Sequence, residues 1–248
     1  MNENCEQLKQ LLGTCGRVVV FTGAGISTES GIPDFRSPGG IWSKHKPVDF
    51  SDFITSADAR RESWRLKLMF DKDMKNAAPN QGHLAIAQLV EQNIVSHVIT
   101  QNVDGLHQQS GVPDDKIIEL HGNTTYAHCL DCGQRYDLDL IRQNFERDET
   151  LPVCDHCEGL VKAATISFGQ AMPEKAMLQA QEASSDCDLF LAIGSSLQVY
   201  PAAGFPLVAK RHGAKLVIIN RDPTELDDSA DLVIHDEIGL TLDGALPY

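Results

Sequence analysis

Six short runs of apolar, β-branched residues recur along the chain, and they constrain its fold more than any other feature. They fall at 17–22 (RVVVFT), 95–100 (VSHVIT), 116–120 (KIIEL), 188–193 (DLFLAI), 215–220 (KLVIIN) and 231–234 (DLVI). Apolar runs without polar alternation mark strands buried on both faces. Helical patterns precede or separate several of them, at 5–12, 82–92, 174–184 and 201–212. Asn80 is placed to cap the second helix, and Gly213 to end the last. Strands alternating with helices predict an α/β fold with a doubly wound parallel sheet.

Two stretches break the rhythm. Residues 37–79 carry helical patterns, notably at 61–72, and no strand-like run. Residues 126–161 carry four clustered cysteines in polar sequence. Both read as insertions that together form a smaller lobe, and a cleft between lobes is a common place for a ligand. The large domain then comprises 1–36, 80–125 and 162–248.

With 42% hydrophobic residues the 248-residue chain can bury a core, which excludes disorder as its main state. It holds 21 Lys+Arg against 35 Asp+Glu, a formal −14. That field repels nucleic-acid backbones. It attracts basic peptides, or serves solubility alone. No run reaches the ~20 apolar residues of a membrane helix, and the start, MNENCEQLKQLL, lacks the basic segment of a secretory signal. A cytoplasmic protein without membrane partners is expected.

The first strand runs straight into Gly23-Ala24-Gly25-Ile26-Ser27. A glycine loop after a first strand lets backbone N–H groups approach a pyrophosphate. Thr28 stands where a dehydrogenase fingerprint wants a third small residue, Pro33 cuts short any long helix, and the bland alternative is a tight turn. Polar residues cluster where other strands end: 100–107 (TQNVDGLH), 119–122 (ELHG), 194–201 (GSSLQVYP) and Asn220. Open α/β sheets bind ligands at such ends. His121 directly follows a strand and suits a general base. His107, further from its strand end, is the rival.

Cys129-x-x-Cys132 and Cys154-x-x-Cys157 are separated by 21 residues. Two such hooks predict one zinc ion held tetrahedrally by the four thiolates, structural because they leave no open position. His128 and His156 read as surface residues beside the hooks. Cys5, Cys15 and Cys187 read as packed or surface thiols.

Together these motifs resemble the sirtuin family of NAD-dependent protein-lysine deacylases. GAGIS, GIPDFR, TQNVDGLH, ELHG, both hooks, SFGQ, GSSLQVYP and IIN occur in family order. GSSLQVY, CLDCG and the short chain look most like bacterial relatives of the class II branch. The resemblance implies a Rossmann-like domain with a small lobe of a helical module and a zinc ribbon. It implies NAD as cosubstrate, acyl-lysine proteins or peptides as substrates, and nicotinamide, free lysine and O-acyl-ADP-ribose as products. It implies roles for residues as well. Gly23, Ala24, Gly25 and Ser27 cradle the pyrophosphate, and Asp34, Phe35 and Arg36 belong to a cofactor loop. Gln101, Asn102 and Asp104 line the nicotinamide and its ribose. Gly194, Ser195, Ser196, Asn220 and Ile238 hold the adenosine half. His121 is the base, acting with Asn102 and Asp104. Ile166, Phe168 and Gly169 form a strand along the substrate peptide, with Val199 and Tyr200 on its other side.

Some positions depart from the family pattern. Lys162-Ala163 replaces a usual Lys-Pro or Arg-Pro, and Gln170 replaces a frequent Glu. The branch that removes malonyl and succinyl groups carries a Tyr and an Arg where, counting from Trp64, this chain has Lys67 and Phe70. A carboxylate-bearing acyl chain loses its bidentate partner there, so neutral acyl groups are expected. Met69 and Phe70 read equally well as helix-core residues. An ADP-ribosyltransferase or NAD hydrolase is the competing activity.

Overall fold

The computed structural model describes residues 3–35 and 40–246. Its centre is a six-stranded parallel sheet of β1 (Val18–Thr22), β2 (Val95–Thr100), β3 (Ile117–Glu119), β7 (Leu189–Ile193), β8 (Lys215–Ile219) and β9 (Leu232–Ile234). The order across the sheet is β3-β2-β1-β7-β8-β9. All six apolar runs are strands, and the order reverses between β1 and β7, the switch point at which such sheets open a crevice.

The alternation of side chains builds two cores. Val18, Val20, Leu191, Ile193, Val217 and Ile219 meet Leu8 and Leu12 of the helix Glu3–Thr14, Ile86 and Leu89 of Gln81–Glu91, and Leu242 of Ile238–Ala245. Their neighbours Val19, Phe21, Phe190, Leu216 and Ile218 face the opposite way, onto Ala180 of Glu174–Ser185 and Phe205 and Ala209 of Phe205–Arg211. Full burial of each large aliphatic side chain contributes about 1.5–3 kcal/mol. Asn80 caps Gln81–Glu91, its side chain accepting from the Gly82 and His83 N–H groups. Gly213, at φ 94°, follows the end of Phe205–Arg211. That helix begins later than residue 201 because 202–204 form a 3-10 turn.

A second, three-stranded antiparallel sheet, β5-β4-β6, uses β4 (Gly122–Cys129), β5 (Arg135–Asp137) and β6 (Val161–Thr165). The boundaries read at 125/126 and 161/162 fall inside β4 and β6, so the small sheet grows directly out of the large domain. Trp64 and Leu68 of the helix Ala57–Lys75 pack with Ala127, Leu138, Ile141, Phe145 and Val161 in one apolar cluster. The helical insertion and the cysteine-bearing insertion therefore share a core.

Beneath the switch point lie two buried histidines. The Asn80 backbone N–H donates to His83 Nδ1, 3.4 Å, so the His83 proton resides on Nε2. His107 Nε2 lies 2.9 Å from Thr22 Oγ1, which itself donates to Thr100 Oγ1. His107 Nε2 therefore carries the ring proton and donates. That leaves a donor on His83 Nε2 and a bare acceptor on His107 Nδ1, with ring centres 5.0 Å apart and no other partner among the described residues. Both rings are neutral. Burial pushes the His83 pKa down to about 4 and that of His107 down to about 3. Unfolded, both return to an ordinary value of 6.5. Above that pH both states are neutral and the pair contributes no pH dependence. Below it the unfolded chain binds protons that the folded chain refuses, so stability is lost as the pH falls from 6.5 towards about 4. At pH 5.5 the loss amounts to roughly 2–3 kcal/mol for the two rings. Thermal unfolding between pH 7 and 4.5 should show the Tm falling over this window, with a flatter profile in the His83→Gln/His107→Gln variant.

Candidate active site

The site is built at the ends of β1, β2 and β7. Gly23 N–H donates to the Ile193 carbonyl at 3.1 Å and Gly25 N–H to the Gly194 carbonyl at 2.8 Å. A Cβ on Gly23 or Gly25 would sit 2.7 Å from the Gly194 oxygen, and one on Gly194 would sit 2.3 Å from the Ile26 nitrogen. Only glycines allow these two strand ends to interlock. The loop continues as a 3-10 helix, Ala24–Ser30, ended by Gly31 at φ 84°. This short turn stands where a dehydrogenase fingerprint would open a long helix.

Asn102 and Asp104 brace this loop from below. Asn102 Nδ2 donates to the Gly23 carbonyl (3.1 Å) and Ser27 Oγ (3.2 Å). Ser27 Oγ donates to Asp104 Oδ2 at 2.7 Å, and the Leu106 N–H donates to Asp104 Oδ1. Ser27 and Asp104 are buried and lie behind the wall of the cavity, not on it. Asn102 reaches the wall itself.

That cavity measures about 660 Å³ and separates the parallel sheet from the small lobe. It collects Gly23, Ala24, Gly25, Asp34, Phe35, Gln101, Asn102, His121, Gly194, Ser195, Ser196, Asn220 and Ile238, together with Ile166, Phe168, Gly169, Val199 and Tyr200. Arg36 lies outside the described residues. Gln101 Nε2 donates to Ser195 Oγ across the switch point, 3.0 Å.

His121 sits where the two sheets meet. Its carbonyl accepts from the Ile166 N–H at 2.8 Å, just past the end of β6. Its Nδ1 lies 3.0 Å from the Gln101 carbonyl oxygen, which can only accept. Nδ1 therefore carries the proton of the neutral ring, and Nε2 is its basic nitrogen. His107, the rival base, is 1% exposed and belongs to the buried pair under the sheet, away from the cavity wall.

Segments 166–170 and 198–200 both line the cavity. Neither is a strand here: β6 stops at Thr165, and 167–170 turn back, with Gln170 Oε1 accepting from the Ser167 N–H. The strand expected along the substrate at Ile166, Phe168 and Gly169 is therefore not formed: these residues belong to the turn that follows β6. Gln170 serves that turn.

Several lining residues were not legible as site residues. Lys162, 2% exposed, donates to the Ala163 and Thr165 carbonyls, and burial pushes its pKa down to about 8. A charged residue inside the apolar strand VKAAT was its signal. Glu29 accepts from the Gly239 N–H, tying the loop to the last helix. A lone acid on a short turn gives no signal of that kind. Phe70 lines the cavity and Met69 is exposed, so neither is a core residue.

The four hook cysteines converge in the small lobe. Cys129 and Cys157 sulfurs are 3.5 Å apart, Cys132 and Cys154 sulfurs 3.6 Å, and all four lie within 4.8 Å of one another. Four sulfurs about 2.3 Å from one ion stand about 3.8 Å apart in a tetrahedron, so this donor set fits zinc. The Tyr136 hydroxyl lies 3.1 Å from Cys154 Sγ and donates its one proton to the Asp155 carboxylate. His128 is half-buried and His156 exposed, and neither joins the cluster. Cys187 is packed, its thiol pushed up to about 11 by burial.

A glycine cradle at a switch point, carboxylates of Asp222, Asp236 and Glu237 beyond it, and a basic histidine nitrogen define a dinucleotide-using α/β protein. The residues fit NAD: a glycine-lined crevice for its pyrophosphate, and carboxylate acceptors for ribose hydroxyls. The chain belongs to the Sir2 family, whose profile matches residues 23–201. It is 53% identical over 98% of its length to the NAD-dependent protein deacetylase of Rhodopseudomonas palustris, covering 96% of that protein. It is 54% identical to NAD-dependent protein deacetylase 1 of Bradyrhizobium diazoefficiens, covering 98% of this chain and 95% of that one. A solved Sir2–p53 peptide–NAD+ complex superposes with a TM-score of 0.88 at 36% identity, over 98% of this chain and 96% of that chain. Sir2Tm bound to a propionylated peptide gives 0.85 at 36%, over 96% and 95%.

Metal binding in such a cluster is also folding energy. Cys129→Ser and Cys154→Ser should lose bound zinc and lower the Tm by roughly 5–15 °C, read by elemental analysis and thermal unfolding. A folded, active, metal-free variant would remove the structural role.

Proposed function

We propose that the protein removes acyl groups from lysine side chains of proteins at the expense of NAD, releasing nicotinamide and O-acyl-ADP-ribose. The observation that carries this is His121: its tautomer is fixed by the Gln101 carbonyl, so Nε2 is the basic nitrogen of a ring on the cavity wall. Mere binding of a dinucleotide needs no such base. The deacetylase names of the relatives and the peptide and NAD+ complexes among the structural neighbours support the same reading.

Each part of the site has a task in it. Gly23, Ala24 and Gly25 receive the pyrophosphate, with Asn102 and Asp104 holding the loop through Ser27. Gln101 and Ser195 set the floor between the two halves of the dinucleotide, and Ser196, Asn220 and Ile238 receive the adenosine half. Gly194 keeps the strand ends close. Asp34 and Phe35 cover the cavity. Ile166, Phe168 and Gly169 receive the peptide backbone on one side, Val199 and Tyr200 on the other. NAD bound here supplies an electrophilic ribose carbon with nicotinamide as leaving group. Holding the acyl-lysine oxygen against that carbon makes a weak nucleophile effective, and filling the cavity with the two substrates keeps water from competing. His121 Nε2 takes a proton from a hydroxyl brought to it, and the Nδ1–H···O=C bond stabilises the imidazolium so formed.

Zinc, held by Cys129, Cys132, Cys154 and Cys157, supplies structure only. The same reading places the protein in the cytoplasm, supported by metal-type use of cysteine and by a structure in which no described helix is long and apolar enough to cross a membrane.

A general base contributes about 10²–10⁴-fold. His121→Ala should therefore cut deacylation of an acetyl-lysine peptide by that factor while NAD affinity and Tm stay near wild type. Labelled-nicotinamide exchange should fall less, because the base acts after the nicotinamide bond yields. Nicotinamide release that ignores added acyl peptide would sink the reading in favour of NAD hydrolysis.

A further inference from the structure

Among the described residues of the small lobe, the carboxylate of Asp71 is buried and shared by two cations. Its Oδ1 accepts from Lys67 Nζ, one turn earlier on Ala57–Lys75, and its Oδ2 from Arg142 Nη2 at 2.6 Å. Arg142 belongs to Leu138–Asp148, in the cysteine-bearing insertion. The side chains of Asp71, Lys67 and Arg142 are 6%, 10% and 16% exposed. Lys67 also lines the cavity, with Leu66, Phe70 and Met74 from the same helix. Burial pushes its pKa below the ordinary lysine value, and the Asp71 carboxylate opposes that. Of the other charged groups, Lys75 pairs with Asp139, Glu146 stands 3.9 Å from Arg142, and Lys162 of the same wall is spent on the Ala163 and Thr165 carbonyls.

We propose that Asp71 sets the acyl selectivity of the cavity by neutralising Lys67, so that the helix Ala57–Lys75 offers no unpaired cation to an acyl chain. The inference rests on the deacylase reading above. A carboxylate at the end of an acyl chain must shed its water to enter, and Lys67, already held by Asp71, does not repay that cost. Neutral chains pass because they need no counter-charge, and Leu66, Phe70 and Met74 offer them apolar contact. Asp71 touches neither substrate nor reacting atoms: it is a positioning residue that acts through Lys67. Without it, Lys67 and Arg142 face each other uncompensated, a state that an incoming carboxylate relieves. The substrate would then supply the charge that the protein lacks.

The test compares kcat/KM for acetyl-lysine and succinyl-lysine versions of one peptide. Wild type should prefer acetyl-lysine at least tenfold. Asp71→Asn should raise the succinyl-to-acetyl ratio tenfold or more, mainly through a lower KM for the succinyl peptide. Adding Lys67→Met should return the ratio to the wild-type value. Loss of Asp71 alone leaves two buried cations, so Asp71→Asn/Arg142→Gln, which keeps the net charge of the triad, is measured beside it and should shift the ratio in the same direction. A wild type that turns over succinyl-lysine as well as acetyl-lysine overturns the proposal whatever the variants do. So does a folded Asp71→Asn protein whose ratio does not move, or a shift that persists after Lys67→Met. A wild type inactive on every acyl peptide overturns the deacylase reading instead.

Discussion

Everything in the active site depends on how closely the ends of β1 and β7 approach. Gly23, Gly25 and Gly194 interlock through two backbone hydrogen bonds, and a methyl group on any of them would collide with backbone. That contact puts the glycine loop, the serines after β7 and the polar end of β2 around one crevice. Asn102, Ser27 and Asp104 then fix the loop by side-chain bonds from beneath. Thr22 and Thr100 extend the bracing to the buried histidines. The catalytic face is supported by a polar layer, neutral in its histidines, that is itself part of the core.

Much of this was legible in the sequence for physical reasons. A strand buried on both faces must be apolar throughout, so RVVVFT, DLFLAI and KLVIIN announced themselves. Two cysteine hooks have few uses other than a tetrahedral metal. Asn80 before GHLAIAQLV is a cap by composition alone. The small sheet was less visible. GNTTYAHC and VKAAT pair with short or open neighbours, so neither carries a clean run of apolar residues. Their pairing is antiparallel and irregular between Gly122 and Ala127, which blurs the alternation on which strand recognition depends.

Placement at the site was legible only in part. Residues at strand ends were found because strand ends are where such sheets bind ligands. Ser27 and Asp104 were found too, yet they stand one layer back, a distinction of depth that spacing does not encode. His107 and His121 look alike in sequence, each beside a strand end. What separates them is that the 106–109 turn folds His107 inward under Thr22, whereas Gly122, at φ 76°, turns the chain beside His121 towards the small sheet. The Asp71 triad depends on contacts that no local pattern reports; Asp71 and Arg142 lie 71 residues apart in the chain.

The shared apolar cluster of Trp64, Leu68, Ile141 and Phe145 has a kinetic corollary. Arg65 grips Glu149 with two hydrogen bonds of 2.7 and 2.6 Å across the same seam. Two insertions that are far apart in the chain are thereby one cooperative unit. Amide protons of the helices Ala57–Lys75 and Leu138–Asp148 should then exchange with solvent through a common opening event. The lobe that brings Lys67 and Phe70 to the cavity should open as a single body.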